Sequence, residues 1–147
     1  MLKKLLVVAG LSLAIVGCAS VKMADPTQDA QAKQFAAKPD VAGVYVYRNE
    51  QMGSAYKIEV DLDGKPLGIT APDTYIYTEV RPGTHTLTSK AENTSELTFE
   101  AAAGKLYYVW QEMKMGILYF RTKLQLVDEV NGQKGVQETK LAAPLSK

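Results

Sequence analysis

Apolar and polar residues alternate along the middle of the chain, in short runs separated by turn residues. The clearest run is 56–62 (YKIEVDL), in which every second residue is apolar and the residues between them are charged. A period of two places one side of a strand in the core and the other in water, as in an antiparallel sheet with one solvated face. The alternation therefore predicts a fold built mainly from half-buried strands.

Eight runs are predicted as strands, at 43–48, 56–62, 65–69, 74–80, 85–91, 95–101, 105–113 and 118–127. Asp63-Gly64, between the second and third runs, is a strong hairpin signal because a type I′ turn needs positive φ at both central residues. Pro66 cannot donate a ladder hydrogen bond, so the third strand is expected at a sheet edge. Turns about 8–12 residues apart predict an antiparallel β-sandwich of about eight short strands or a small barrel, and we favour the sandwich. The run 105–113 is the most apolar and is expected at the structural centre.

Two helices are predicted at the ends of this β-rich region. Asp25 is a favourable N-cap residue, and Pro26 suits the first helical position. The residues that follow are rich in Ala, Gln and Lys, so a short helix is expected from Pro26 to Phe35. A C-terminal helix is expected within 128–141, although its two glycines each cost about 1 kcal/mol in a helix interior.

The N-terminus carries a different pattern, a cationic start followed by an apolar run and small residues. Lys3 and Lys4 precede the run 5–16, which is too short to cross a bilayer because a spanning helix needs about 20 apolar residues. These features are typical of an export signal. The run ends in Ile-Val-Gly-Cys at 15–18, which resembles the bacterial lipobox.

The lipobox resemblance implies that the bond between Gly17 and Cys18 is cleaved and that Cys18 is acylated by fatty acids such as palmitate. The chain then divides into a signal peptide at 1–17, a lipidated tether at 18–24, a β-sandwich domain at 25–141 and a tail at 142–147. Ala19, rather than Asp, follows the cysteine, which resembles lipoproteins sent to the outer membrane. We therefore expect a lipid-anchored protein on the periplasmic face of the outer membrane. An uncleaved membrane anchor and an unmodified cysteine are the alternatives.

Net charge gives no indication of a nucleic-acid partner. The 147 residues include 17 basic and 16 acidic side chains, and removal of 1–17 leaves 15 basic and 16 acidic side chains in 130 residues. A chain of this length suits one domain, and it lacks the clustered basic footprint that nucleic acid requires. Without a polybasic segment, membrane attachment is expected to depend on the lipid at Cys18. The second predicted partner is an envelope protein or a cell-wall component.

Catalytic and metal-binding side chains are scarce. His85 is the single histidine and Cys18 the single cysteine, so the count excludes a catalytic Cys-His pair and a histidine-rich zinc site. The segment 61–64 (DLDG) lacks the third ligand and the later glutamate of a calcium loop. No catalytic residue, metal ligand or cofactor is therefore predicted, and the chain is not expected to be an enzyme. A small hydrolase that uses His85 is the least favoured alternative.

Tyrosines share one parity on two predicted strands, Tyr45 and Tyr47 on the first and Tyr75 and Tyr77 on the fourth. If the residues between them face the core, a tyrosine-rich outer face results. Such a face can bind a glycan or a peptide, because tyrosine combines apolar area with a polar tip. Arg48, at the end of the first strand, and Arg121 are the candidate cations for an acidic ligand or a buried carboxylate, and structural pairing is the favoured role. The competing interpretation is that tyrosine fills sheet faces because strands favour it.

Two longer resemblances rest on turn and core motifs. Residues 58–72 and 80–87 (IEVDLDGKPLGITAP and VRPGTHTL) resemble the PEGA-type β-sandwich module. Over about 33–141, the motifs YVYR, DG, PGTH and YYV are similar to a family of short proteobacterial lipoproteins, the domain of unknown function twenty-eight forty-six. This resemblance implies a β-sandwich lipoprotein without an assigned activity, and it supplies no catalytic residues.

The favoured function is a non-catalytic envelope lipoprotein, held at a bacterial membrane by Cys18, that binds another envelope protein or a cell-wall component. The main alternative is a carbohydrate-binding β-sandwich module that uses a face of Tyr and Trp side chains. That alternative requires the aromatic rings to be exposed as one contiguous patch.

Overall fold

Two β-sheets pack face to face in the computed structural model, which describes residues 20–145. These residues form nine strands and two helices, so the predicted β-sandwich with an N-terminal and a C-terminal helix is confirmed. The predicted signal peptide at 1–17 and the predicted lipid attachment at Cys18 lie outside the described residues.

The strands and helices follow the predicted order closely. The helices are α1 Pro26–Ala32 and α2 Glu129–Gln137. The strands are β1 Ala42–Arg48, β2 Ile58–Leu62, β3 Lys65–Thr70, β4 Thr74–Val80, β5 Gly83–Lys90, β6 Thr94–Ala101, β7 Leu106–Met115, β8 Phe120–Val127 and β9 Lys140–Leu141. The two-residue strand β9 was not predicted, because so short a run carries no alternation.

The larger sheet has the order β8, β7, β1, β4, β9, and the smaller has the order β3, β2, β5, β6. Most neighbours are antiparallel as expected, but β1 pairs with β7 in parallel, and so does β4 with β9. Parallel neighbours need a crossover connection, and the chain supplies one by passing through the smaller sheet between β4 and β7. The central strand is β1, with all seven residues buried, so the expectation that 105–113 forms the centre was wrong.

The hairpin between β2 and β3 forms as predicted. Asp63 and Gly64 have φ values of 50° and 78°, the positive values that this turn requires. The strand that contains Pro66 lies at the edge of the smaller sheet, where a missing N–H costs no ladder hydrogen bond.

The core between the sheets is apolar, with one polar seam across it. Buried valines and leucines from both sheets form its main cluster. Within it, Thr70 donates a hydrogen bond to Gln111 (2.5 Å), and Gln111 donates to Ser89 (2.7 Å). The hydroxyls of Ser89 and Thr122 are also hydrogen-bonded, at 2.9 Å. These four buried residues come from β3, β7, β5 and β8, so the seam fixes how the two sheets register on each other.

Helix α1 is capped as its sequence indicates. The side chain of Asp25 accepts a hydrogen bond from the N–H of Thr27 (2.7 Å), and the side chain of Gln28 completes a capping box. The helix ends at Ala32, three residues before the predicted end, and Phe35 has a positive φ of 50°. This turn directs the phenyl ring of Phe35 onto the tyrosines of the larger sheet.

Helix α2 begins at an N-cap, Asp128, whose side chain accepts a hydrogen bond from Asn131 N–H (2.9 Å). Its two glycines, Gly132 and Gly135, are buried against the rings of Tyr108 and Tyr47. The sequence indicated only their cost in helix propensity. In the fold, the missing Cβ atoms let the helix backbone lie directly on the aromatic rings.

Part of the predicted tether is paired with part of the predicted tail. The N–H of Ala24 donates to the carbonyl of Leu141 (3.0 Å), and the N–H of Ala143 donates to the carbonyl of Lys22 (2.8 Å). Ordered β-pairing therefore extends beyond the predicted domain limits of 25 and 141 on both sides. Within the described residues, neither helix has the length and apolar character needed to traverse a bilayer.

Candidate functional site

The predicted tyrosine face exists, but both helices cover it. Val44, Val46 and Ile76 point into the core, so the tyrosines between them lie on the opposite face of the larger sheet. Tyr45, Tyr47 and Tyr75 are only 2%, 4% and 0% exposed there, and Tyr77 is partly buried. The exposed aromatic platform required by the carbohydrate-binding alternative is therefore not formed by these rings.

The covered tyrosines form a continuous aromatic layer with polar tips that reach α1. The rings of Tyr45 and Tyr108 stack with centroids 5.2 Å apart, and Tyr77 lies 4.8 Å from Tyr45 on the other side. The hydroxyl of Tyr45 donates to the carbonyl of Ala32 (2.7 Å). Burial raises the pKa of Tyr47 to about 12 and raises the pKa of Tyr45 further. Both phenols therefore stay neutral, and that of Tyr45 keeps the proton that it donates to Ala32.

Asp29 on α1 joins the helix to the sheet, a role that no sequence motif indicated. Its carboxylate accepts hydrogen bonds from the hydroxyl of Tyr75 (2.8 Å), the ammonium of Lys33 (3.1 Å) and the N–H of Leu141 (3.2 Å). Burial alone would raise the pKa of Asp29, but these donors hold it below its usual value. The charged carboxylate of Asp29 therefore has a structural role, in which it holds α1 against the larger sheet.

Arg48 is fully buried and binds backbone, so it is not placed to meet an acidic ligand. Its guanidinium donates to the carbonyl oxygens of Tyr56 (2.7 Å), Gly53 (2.7 Å) and Met52 (3.3 Å). Burial lowers the pKa of Arg48, although Glu50 and Asp73 act against this. The side chain organises the loop 49–57 that follows β1.

A cavity of about 450 Å³ lies between α1 and the open edge of the sandwich, and we call it the α1 groove. Its inner wall is mostly apolar and comes from α1, β1, β3, β4 and the C-terminal segment: Ala32, Tyr45, Leu67, Ile76, Tyr77, Leu141, Ala142 and Pro144. Its polar lining residues are Gln28, Gln31, Gln34, Lys38, Thr78 and Glu79. This volume and mixed lining suit a non-covalent ligand site.

The chemistry of the α1 groove favours binding. Lys38 and Glu79 form an exposed ion pair at 2.7 Å on its rim, and hydrogen bonding to Glu79 raises the pKa of Lys38.

Two of the predicted tyrosines, Tyr45 and Tyr77, line the groove. Tyr47 lines a second cavity of about 500 Å³ beside α2, and Tyr75 lines neither cavity. Among residues 20–145, no three His, Cys, Asp or Glu side chains are grouped to hold a metal ion.

His85 lies away from both cavities and forms a closed pair with Asp63. Nδ1 is 2.6 Å from an oxygen of Asp63, and Nε2 is 2.7 Å from the carbonyl oxygen of Arg81. A carboxylate and a carbonyl oxygen only accept hydrogen bonds, so this geometry favours the imidazolium form of His85, in which both ring nitrogens donate. A histidine held in this way has no free nitrogen to accept a proton from a nucleophile. The hydrolase alternative gains no support from this site.

The pair of His85 and Asp63 is expected to make a pH-dependent contribution to the free energy of unfolding. The hydrogen bond to Asp63 and, as a smaller effect, the hydrogen bond to the carbonyl of Arg81 raise the pKa of His85 above 6.5. The hydrogen bond with His85 and, as a smaller effect, the hydrogen bond from the N–H of Thr86 lower the pKa of Asp63 below 3.8. The stabilisation by His85 is complete below its unfolded-state pKa and is lost as pH rises through the folded-state pKa. The stabilisation by Asp63 is lost only as pH falls through its lowered value.

We therefore expect the charge on His85 to contribute up to about 1 kcal/mol to the free energy of unfolding near pH 6, given the partial exposure of the pair, and to contribute nothing near pH 9. Urea unfolding at the two pH values measures it. His85→Gln is the matched variant, and the difference between wild type and variant should shrink as pH rises. A difference that stays constant with pH would show that His85 is not charged in the folded protein.

Comparison with known proteins identifies a family without an assigned activity. A family model described as "Protein of unknown function (DUF2846)" matches residues 38–122. An uncharacterized protein of Haemophilus influenzae is 31% identical over 137 residues, which cover 92% of this chain and 82% of the relative. No solved structure matches the chain.

The family match begins just before β1 and ends within β8, so it covers β1 to β7 and the start of β8 and leaves out α1 and α2. Three of the residues on the rim of the α1 groove, Gln28, Gln31 and Gln34, therefore lie outside the matched region. The match covers more than half of the sequence, and the chain belongs to the DUF2846 family of proteins of unknown function.

Proposed function

We propose that this protein is a non-catalytic lipoprotein of the bacterial cell envelope, anchored by an acylated Cys18, that binds another envelope protein or a cell-wall component in the α1 groove. The anchoring half rests on the sequence: a cationic start, a short apolar run and Ile-Val-Gly-Cys at 15–18. Ala19 after the cysteine favours the periplasmic face of the outer membrane.

The observation that carries the binding half is the α1 groove itself. Its volume of about 450 Å³ is sufficient for a small ligand or for a few residues of an extended chain. The apolar inner wall can bury ligand surface, while the three glutamines and the Lys38–Glu79 pair offer both donors and acceptors. The glutamines are not nucleophiles, and the ion pair with Glu79 raises the pKa of Lys38 and keeps its amine protonated, which supports binding without chemistry.

The position of the groove relative to the predicted anchor adds to this proposal. Leu141 and Ala142 line the groove, and the segment 141–143 is hydrogen-bonded to 22–24. Cys18 and Lys22 are four positions apart in the sequence, which limits the span between them to about 14 Å. A lipid at Cys18 would therefore hold the groove close to the membrane, where envelope partners and cell-wall material are at high local concentration.

The test uses the full chain, expressed in a bacterium that processes lipoproteins. A photoreactive amino acid replaces Gln34 in the groove, and a matched control carries it at Glu96, an exposed position on the smaller sheet. We expect a fatty-acid probe to label the wild-type chain and not Cys18→Ala. Irradiation in the intact envelope should give a discrete crosslinked product from position 34 and none from position 96.

The two halves of the proposal are contradicted by different outcomes. Equal absence of fatty-acid label from the wild type and from Cys18→Ala would remove the lipoprotein assignment. Labelled protein whose crosslinks are the same at positions 34 and 96 would remove the groove as the binding site. Labelled protein that fractionates with the inner membrane would correct the predicted location only.

A further inference from the structure

The turn between β7 and β8 exposes more apolar surface than the fold needs. Ile117 and Leu118 are 88% and 86% exposed, and Met115 is 70% exposed. We call the residues 115–119, which also include Gly116 and Tyr119, the apolar tip. Single exposed apolar residues are normal, but a contiguous apolar patch usually marks an interaction site.

The apolar tip is held in place by a carboxylate from the smaller sheet. Glu92, in the turn between β5 and β6, accepts hydrogen bonds from the N–H groups of Ile117 (2.9 Å), Leu118 (3.0 Å) and Tyr119 (3.0 Å). The N–H of Gly116 donates to the carbonyl of Tyr119 (2.9 Å). All four N–H groups of the turn therefore have partners while the Ile117 and Leu118 side chains remain in solvent. A backbone with its donors satisfied can enter an apolar medium at lower cost.

Polarity changes in a regular order along the hairpin. Behind the aliphatic residues, Tyr119 stacks on Tyr56 with ring centroids 5.8 Å apart. Next come exposed cations: Lys114 and Arg121 are paired in register, and Lys123 follows on the same face. Two carboxylates lie near these three cations: Glu112, which pairs with Lys114 at 3.2 Å, and Glu92 beneath the tip, so the region keeps a net charge of one positive. This order matches that of a bilayer interface: the aliphatic side chains correspond to the hydrocarbon, the tyrosines to the aromatic belt, and the cations to the anionic headgroups.

Size and charge decide which partner fits the apolar tip. Its four side chains offer on the order of 500 Å² at most, which is below the roughly 800 Å² per partner of a standard protein interface. Two copies meeting at their tips would also bring two sets of cations together. An anionic bilayer has neither problem, because it accepts a small insertion and its headgroups complement Lys114, Arg121 and Lys123.

We propose that the apolar tip inserts into the surface of a bilayer that contains anionic lipid, with Ile117 and Leu118 in the acyl region and the cations of β7 and β8 at the headgroups. The tip lies beyond the C-terminal end of β1, near the β8 edge of the larger sheet. The paired segment 22–24 lies at the opposite edge, beside β9. Contact at the tip would therefore orient the domain along the membrane. The inference does not depend on acylation of Cys18.

The experiment measures the depth of the tip in the full chain reconstituted into vesicles. A polarity-sensitive fluorescent amino acid replaces Leu118, and the matched control carries it at Glu96 on the smaller sheet. Vesicles contain phosphatidylcholine with or without phosphatidylglycerol, and a quencher attached to the acyl chains reports contact with hydrocarbon. We expect a blue shift and quenching at position 118, stronger with phosphatidylglycerol, and neither at position 96.

Two further variants test the contributing groups. Met115→Ser with Ile117→Ser should lower the inserted fraction about tenfold, because it removes two exposed aliphatic side chains that insertion would bury in lipid. Arg121→Gln with Lys123→Gln should remove the preference for phosphatidylglycerol. All four residues are exposed, so the melting temperature should stay unchanged. The proposal is overturned if position 118 responds as position 96 does in every vesicle. It is equally overturned if the blue shift needs no vesicles and grows with protein concentration, which would indicate self-association.

Discussion

Gly135→Ala is expected to destabilise this protein by about 2–3 kcal/mol, although the same change favours an isolated helix by about 1 kcal/mol. A Cβ atom at Gly135 would overlap the ring of Tyr47, which is itself buried between α2 and the sheet. The ring cannot move away, because it lies on the fully buried central strand β1. Urea unfolding of the two proteins measures the loss.

A double-mutant cycle separates the overlap from other effects of the substitution. In a Tyr47→Ala background the ring is gone, so Gly135→Ala should become neutral or stabilising by up to about 1 kcal/mol through helix propensity alone. The reversal of sign is the specific result, because neither variant alone produces it. If Gly135→Ala costs the same in both backgrounds, α2 does not pack on Tyr47 as described. Gly132→Ala should behave in the same way toward Tyr108.

Arg48→Ala is expected to have the largest effect, a loss of about 3–5 kcal/mol. The change removes three donated hydrogen bonds at once, and it leaves the carbonyls of Gly53, Tyr56 and Met52 without this donor. It also opens a cavity, because Arg48 is the largest fully buried side chain in the described part of the chain. Denaturant unfolding at neutral pH measures the loss.

Arg48→Lys tests whether geometry or charge matters at this position. A single ammonium cannot reproduce the fork of the guanidinium, so we expect more than half of the loss to remain. Arg121→Ala is the matched control, since Arg121 is exposed on β8, and it should change the stability by less than about 0.5 kcal/mol. Full stability in Arg48→Lys would indicate that the loop 49–57 is held by charge alone.

The candidate site was only partly predictable from the sequence. The shared parity of the tyrosines on β1 and β4 correctly placed them on one face, because side-chain alternation is a local property of a strand. What covered that face was not predictable. Residues 26–35 showed a helix with polar glutamines, but nothing local indicated that Asp29 would meet Tyr75 or that Gln34 would border a groove.

The sequence by itself determined the first eight strands, the Asp63-Gly64 hairpin, the edge position of the strand with Pro66, and the cap at Asp25. Each of these follows from contacts within a few residues or from the allowed φ values of one residue. The tertiary structure decided the parallel pairing of β1 with β7, the pairing of 22–24 with 141–143, and the burial of the tyrosines under two helices. These depend on contacts between residues far apart in the chain, whose free energy is set by packing and shape and leaves no periodic signal in the sequence.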